Sequence, residues 1–284
     1  MKKAGIYIVA ALLALNIHII HAQTGGDTLV LTDIQLDAAY PAGSTELNIP
    51  SGGSLLQGFI YKANGSEKHP TLLLLHGYPG NERNLDLAQV ARARGWNVIY
   101  FDYRGSWASQ GVFSFKHCVE DVVNVVGWCK KQSDAMHIDT NNIVLFGHSM
   151  GAWVCLKALA QLPTVKKGFA LSTWDIAGSV AAQKGNLKAI AKDAGTYFVL
   201  NATPAQQFTP VVNSPAYYDL RNDAKALAGK QIVMLDEHTQ NQPIANAIQQ
   251  QNKAYFSYEV WPTDHPFTNK RVALIKKVLA FIGK

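Results

Sequence analysis

The chain is poor in cysteine and in charge. Three cysteines in 284 residues, Cys118, Cys129 and Cys155, make an odd and thin set, which excludes a disulfide-stapled scaffold. Cys118 and Cys129 fall on one expected helix, roughly 16 Å apart at helical rise, too far to bridge. All three read as small buried apolar groups. Only 16% of residues are charged against 48% hydrophobic, which excludes a disordered chain. The formal net charge is +6, of which Lys2 and Lys3 supply two. The remaining basic residues are scattered apart from pairs such as Lys166-Lys167 and Lys276-Lys277. That is a solvated surface and no nucleic-acid footprint. There is no H-E-x-x-H, no Cys/His cluster, no G-x-G-x-x-G and no P-loop, so neither a metal nor another cofactor is expected. Repeats and low-complexity tracts are absent as well.

One apolar run stands out at the start. Met1-Lys2-Lys3 is followed by an apolar stretch from Ala4 to Ile20 and by Ala22-Gln23. This pattern reads as a signal peptide over residues 1–22, cleaved after Ala22, with export to the periplasm or the exterior. Ile20 is large for the −3 position, which leaves the cleavage site approximate. An uncleaved anchor is the alternative. No later run is long enough to span a bilayer.

Residues 23–284 read as a single α/β domain. Glu46–Ile49 and Leu55–Tyr61 flank Pro50-Ser51-Gly52-Gly53-Ser54 and predict a hairpin. Strands are predicted at Thr71–Leu75, Asn97–Phe101, Ile143–Phe146, Gly168–Ser172, Gln231–Leu235 and Tyr255–Val260. Helical spacing falls at Arg83–Arg94, Phe115–Lys131, the segment after Ser149, and Lys270–Ile282. Strands alternating with helices predict a mostly parallel twisted sheet with helices on both faces. Between about 175 and 229 the alternation stops. A structureless loop of that length is improbable in a compact domain, so a helical cap over the C-terminal edge of the sheet is predicted.

The most specific motif is Gly147-His148-Ser149-Met150-Gly151, a G-x-S-x-G with an apolar strand before it and an apolar helix after it. A serine at such a junction is forced into a sharp turn. Its hydroxyl projects above the sheet, and the N–H of Met150 opens a helix, where partial positive charge favours an oxyanion. Three further elements follow the same logic. Leu72–Leu75 runs into His76-Gly77-Tyr78-Pro79-Gly80, a turn that can aim the Tyr78 N–H at the same oxyanion. Ile232–Leu235 ends in Asp236-Glu237. Trp261–Phe267 places His265 after the last strand.

Together these motifs resemble the α/β-hydrolase superfamily from about residue 46 to the C-terminus, carried by HGYPG, DYRGSWASQG (102–111), GHSMG and TDHPF. Asn213-Ser214-Pro215-Ala216-Tyr217-Tyr218 is similar to the catalytic domain of the prolyl-oligopeptidase branch, without room for that branch's propeller. The resemblance implies an α/β-hydrolase fold, Ser149 as nucleophile, His265 as base, and backbone oxyanion donors at Tyr78 and Met150. It also implies a carboxylate behind the histidine. Relatives often carry that acid a few residues after the strand, where this chain has Thr239, Gln240 and Asn241. Asp236 is therefore the first candidate, Glu237 the second and Asp175 the third, while Asp264 sits too close to His265 to turn back onto its ring. His76 and His148 read as packing residues, and Arg104 as a brace under the loops. Tyr78, Trp107 and Trp174 follow strand ends and read either as an aromatic wall or as core.

The implied activity is an exported serine hydrolase working through an acyl-enzyme on an ester. The alternative within enzymes is a peptidase of prolyl-oligopeptidase type acting on short peptides, although no convincing Glu-Glu pair marks an amine anchor. A third reading is a non-catalytic hydrolase-like binding protein, which the irregular acid alone supports. The expected partner is a small ester or a short peptide, and the sequence leaves the oligomeric state open.

Overall fold

Apolar alternation is already double-sided in the third strand, where Leu73 and Leu75 join one core cluster and Leu72 and Leu74 join another on the opposite face. A strand buried on both faces needs helices on both sides, and the structure supplies them. The computed structural model describes residues 33–283, and Gln35–Lys284 form one compact unit. The expected leader, residues 1–22, lies outside the described residues.

Eight strands form one sheet: β1 (Gly43–Ser51), β2 (Ser54–Lys62), β3 (His69–Leu75), β4 (Asn97–Phe101), β5 (Ile138–His148), β6 (Lys167–Leu171), β7 (Gln231–Asp236) and β8 (Phe256–Val260). Their order is β1-β2-β4-β3-β5-β6-β7-β8. The β1–β2 hairpin and the β2–β4 pair are antiparallel, and every pair from β4 to β8 is parallel. The expected α/β-hydrolase fold is the fold observed. The helices are α1 (Leu85–Ala93), α2 (Phe115–Lys131), α3 (Met150–Gln161), α4 (Ile176–Ala182), α5 (Leu187–Ala194), α6 (Pro204–Asn213), α7 (Pro215–Tyr218), α8 (Gln242–Gln251) and α9 (Arg271–Ile282). Helices α1 and α9 pack on one face, and α2, α3 and α8 on the other.

Helix α8 was not expected from the sequence. Its segment, QPIANAIQQQ, is mostly amide side chains, and only Ile244, Ala245 and Ile248 are buried. Those three share one helical face, which is enough once a sheet is present to cover it. The predicted cap is four helices, α4 to α7, followed by a 3-10 turn at Leu220–Asp223. It is tied down by polar bonds to α3. Trp153 Nε1 donates to the Tyr218 carbonyl at 2.9 Å, and Lys157 Nζ donates to the Tyr217 carbonyl at 2.6 Å while pairing with Asp223. A short bridge between Ser106 and Leu200 adds a backbone tie.

Because β3, β5, β7 and β8 run parallel, their C-terminal ends share one edge of the sheet. Tyr78, Ser149, Glu237 and His265 all follow those ends. The β5–α3 junction is the tightest point. Ser149 has φ 60 and ψ −119, a conformation that costs a non-glycine residue on the order of 1–3 kcal/mol. A Cβ on Gly151 would drive into the Leu75 carbonyl oxygen, and one on Gly147 into that of Gly151. Gly151→Ala should therefore lower the unfolding free energy by about 3 kcal/mol or more. A urea denaturation midpoint close to that of the wild type would show that β3 and α3 can part cheaply.

Candidate active site

The Ser149 backbone is held on both sides. Its N–H donates to the Leu171 carbonyl at 2.8 Å, and its own carbonyl accepts from Trp174 N–H at 3.2 Å. Thus β6 and the chain after it clamp the turn. Gly77 lies so near that a Cβ there would sit 3.1 Å from Ser149 Cβ, which sets the HGYPG turn against the serine. Met150 N–H is the first of α3, among the helix-terminal donors that have no partner within the helix. Ser149, Tyr78 and His265 line one cavity of about 650 Å³, together with Trp174, Asp175 and Asn241.

The carboxylate beside the histidine is Glu237, and this corrects the expectation for Asp236. Glu237 Oε1 accepts from His265 Nδ1 at 2.8 Å, and Oε2 accepts from Ser172 Oγ at 2.6 Å. With Nδ1–H donating to a carboxylate, Nε2 is the basic nitrogen of the neutral ring. Burial acts to raise the Glu237 carboxyl, but the bonds from His265 and Ser172 outweigh it and bring it from 4.5 to about 2. Asp236 is fully buried and faces away. It accepts from Thr173 N–H at 2.9 Å and from Asn241 Nδ2 at 3.0 Å, and Asn241 also donates to the Thr173 carbonyl. Burial lifts its carboxyl from 3.8 to about 6 against those bonds. Asp236 therefore braces the strand end of β6. The third candidate, Asp175, lines the cavity but caps α4 through Gly178 N–H at 2.8 Å. Asp264 turns away to Thr268 N–H, as its position beside His265 led one to expect.

The other sequence readings divide. His76 is buried under Tyr103, with Nδ1 donating to the Gly77 carbonyl at 2.8 Å. Burial brings it from 6.5 to about 4 against that bond. His148 Nε2 donates to the His265 carbonyl at 2.9 Å, and burial, seconded by the nearby His265, lowers it to about 4. Both are neutral packing groups near pH 7. Arg104 braces as expected, through Asp121, which also accepts from Ser51, and through Glu120. The aromatic wall forms only in part. Tyr78 and Trp174 rings meet at 5.7 Å on the cavity. Trp107 instead donates to the Pro79 carbonyl at 2.8 Å, lies under Arg83, and stays outside the lining.

Ser172, with φ 49, is the residue that nothing in the sequence singles out. A serine one position past a strand carries no motif, and its role depends on which carboxylate lies across from it. Among the described residues no group of three or more His, Cys, Asp or Glu side chains is placed to hold a metal ion. No helix among them is long and apolar enough to cross a membrane. The cysteines are free and buried.

The depressed carboxyl of Glu237 makes a stability prediction with a definite sign. A carboxylate whose folded pKa lies below its ordinary value contributes stability that is complete above about 4.5 and is lost as pH falls toward about 2. Glu237→Gln should unfold at lower denaturant than the wild type at pH 7, and the gap should close between those two values. A gap that stays constant across that window would mean that the ionised carboxylate is not what stabilises this corner.

Comparison with known proteins agrees with the fold. A 100-residue segment is 32% identical to the lysophosphatidylserine lipase ABHD12 of Bos taurus, covering 34% of this chain and 24% of that protein. A 110-residue segment is 37% identical to an uncharacterized 31.7 kDa protein of Escherichia coli from the traX-finO intergenic region, covering 36% of each. The chain thus spans only about a quarter to about a third of the length of these curated relatives. Among solved structures, the Pyrococcus furiosus esterase Pf2001 superposes with a TM-score of 0.62 at 18% identity over 85% of this chain and 92% of that one. The brefeldin A esterase, described as a bacterial homologue of human hormone sensitive lipase, gives 0.65 at 16% over 89% and 80%. At these identities the likeness is one of fold. The profile of the X-Pro dipeptidyl-peptidase (S15) family matches residues 52–272. That match covers well over half of the sequence, so the chain belongs to this family of α/β-hydrolase enzymes.

Proposed function

We propose that this hydrolase acts through an acyl-enzyme on Ser149, with His265 as general base and acid, Glu237 as the carboxylate that orients it, and carboxylic esters as its substrates. The bond from His265 Nδ1 to Glu237 carries the reading, because it leaves Nε2 with a lone pair on the side of the ring away from the acid. Ser149 Oγ attacks the ester carbonyl carbon and its proton passes to His265 Nε2. The carbonyl oxygen takes the negative charge opposite the N–H groups of Met150 and Tyr78. Collapse breaks the bond to the alcohol, which leaves with the proton from Nε2. Water then attacks the acyl carbonyl carbon and gives a proton to Nε2, which passes it to Ser149 Oγ as the Oγ–acyl bond breaks and the carboxylic acid leaves. The carboxylate on His265 removes the one feature that favoured a non-catalytic binding protein.

Esters rank first because Asp175 is the single carboxylate among the cavity-lining residues, and its Oδ1 is engaged as a helix cap. A dipeptidyl substrate brings a free amine that needs a dedicated anion. The second reading, a peptidase on short peptides, is supported by the family match and by the presence of that same Asp175 in the cavity. Export belongs to the reading as well, supported by Lys2-Lys3 and the apolar run to Ile20. Protein secreted from its native host should begin near Gln23, and an intact Met1 on the mature chain would refute cleavage.

A fluorophosphonate should label the wild type and leave Ser149→Ala unlabelled. Glu237→Gln should lower kcat on p-nitrophenyl esters by about 10²–10⁴-fold, whereas Asp236→Asn should act mainly on stability. A larger loss of kcat from Asp236→Asn than from Glu237→Gln would reverse the assignment. Comparing p-nitrophenyl esters with X-Pro and aminoacyl nitroanilides decides between the two substrate classes. Faster acylation by the anilides would install the peptidase reading.

A further inference from the structure

Tyr78 belongs to two parts of the molecule. Its backbone lies in the turn after β3, while its side chain leaves that turn and enters the cap. There the phenol donates to Gln207 Oε1 at 2.8 Å. Gln207 sits on α6 and is only 2% exposed. Its Nε2 donates to the Ala202 carbonyl at 2.8 Å. Because that carbonyl can only accept, the amide orientation follows, and Oε1 must face the phenol as acceptor. Burial pushes the phenol up to about 12, so it remains a donor at any working pH.

The surroundings are apolar and aromatic. Tyr78 meets Tyr197 of the cap edge-on at 5.4 Å and Trp174 at 5.7 Å, and Trp174 in turn meets Phe208, the neighbour of Gln207, at 6.2 Å. A glutamine buried among rings costs desolvation that a hydrocarbon of similar shape would avoid. What it supplies instead is direction, since both ends of its amide are satisfied by fixed partners. One partner is Tyr78, whose N–H the acyl-enzyme reading assigns to the oxyanion.

We propose that Gln207 is a positioning residue: it holds the Tyr78 phenol and thereby fixes the turn that presents the Tyr78 N–H to the tetrahedral oxyanion, so that transition-state stabilisation depends on a seated cap. The proposal rests on the acyl-enzyme reading above. Gln207 touches no reacting atom. Its loss weakens an interaction made in the transition state and leaves substrate binding in place, so it should lower kcat while KM holds.

Gln207→Met and Tyr78→Phe both remove the bond, and both keep the Tyr78 N–H. Each should lower kcat on p-nitrophenyl acetate about tenfold or more, with KM within about twofold. The same fold should be lost in affinity for a trifluoromethyl ketone, whose adduct with Ser149 carries the oxyanion. The double variant should be no worse than either single one, because both cut one bond. Gln207→Glu, which keeps an acceptor for the phenol, should recover part of kcat. Rates are expressed per active site titrated with fluorophosphonate, so a misfolded fraction does not count as lost kcat. If Gln207→Met does not fold, Tyr78→Phe carries the test alone. Unchanged kcat and ketone affinity in the variants that fold, or losses that multiply in the double variant, would overturn the proposal. Ser149→Ala and His265→Ala run beside them. Full turnover by those two would sink the acyl-enzyme reading itself, whereas their inactivity beside a wild-type Gln207→Met sinks only the role of Gln207.

Discussion

The approach of Gly151 to the carbonyl of Leu75 is the constraint on which the rest of the structure hangs. It brings the start of α3 against the end of β3 with no side chain between them. Ser149 is then left with φ 60, bonded through its backbone to Leu171 and Trp174. Three strand ends and one helix start meet within a few residues. The HGYPG turn and the start of α3 lie side by side as a result, with Gly77 close against Ser149. The strain at Ser149 is held by the packing of α3 on its face of the sheet, through buried Met150, Trp153 and Leu156.

Around that junction, polar groups are sorted by environment. His76 and His148 are buried and kept neutral, each with one ring nitrogen committed to a backbone carbonyl. His148 does more than fill space, because its bond to the His265 carbonyl ties the residue before Ser149 to the backbone of His265. Asp236 and Glu237 are neighbours with opposite fates. Successive side chains at a strand end point to opposite sides. One carboxylate turns inward to Thr173 and Asn241, where burial raises it, and the other meets His265 and Ser172, where hydrogen bonds lower it.

The cap packs against the turn that follows β3. Its helices bring Gln207, Tyr197 and Phe208 to the aromatic group that includes Tyr78 and Trp174. Its base is fixed to α3 through Lys157 and Trp153. The cavity that results is aromatic on one side and carries Asp175, Asn241 and Gln240 elsewhere in its lining.

The alternation of apolar runs with amphipathic segments was enough to assign the parallel sheet, and a G-x-S-x-G between strand and helix was enough to place Ser149 in a sharp turn at a strand end. These are local signals: a strand must be apolar on both faces to be buried on both, and a sharp turn must have glycines where backbones collide. Helix α8 escaped because its burial comes from a sheet that no window of sequence contains. The carboxylate that meets His265 escaped for a related reason. Whether Asp236 or Glu237 meets His265 depends on where β7 stops relative to Ser172 on β6's exit and His265 on β8's exit. The three segments are distant in sequence and are brought together by lateral strand pairing alone. The same holds for Gln207, an ordinary amide on a polar helix until the cap folds over Tyr78. Periodicity decided the layers and the glycine motif decided the turn at Ser149; three-dimensional register decided which carboxylate meets His265 and which amide meets Tyr78.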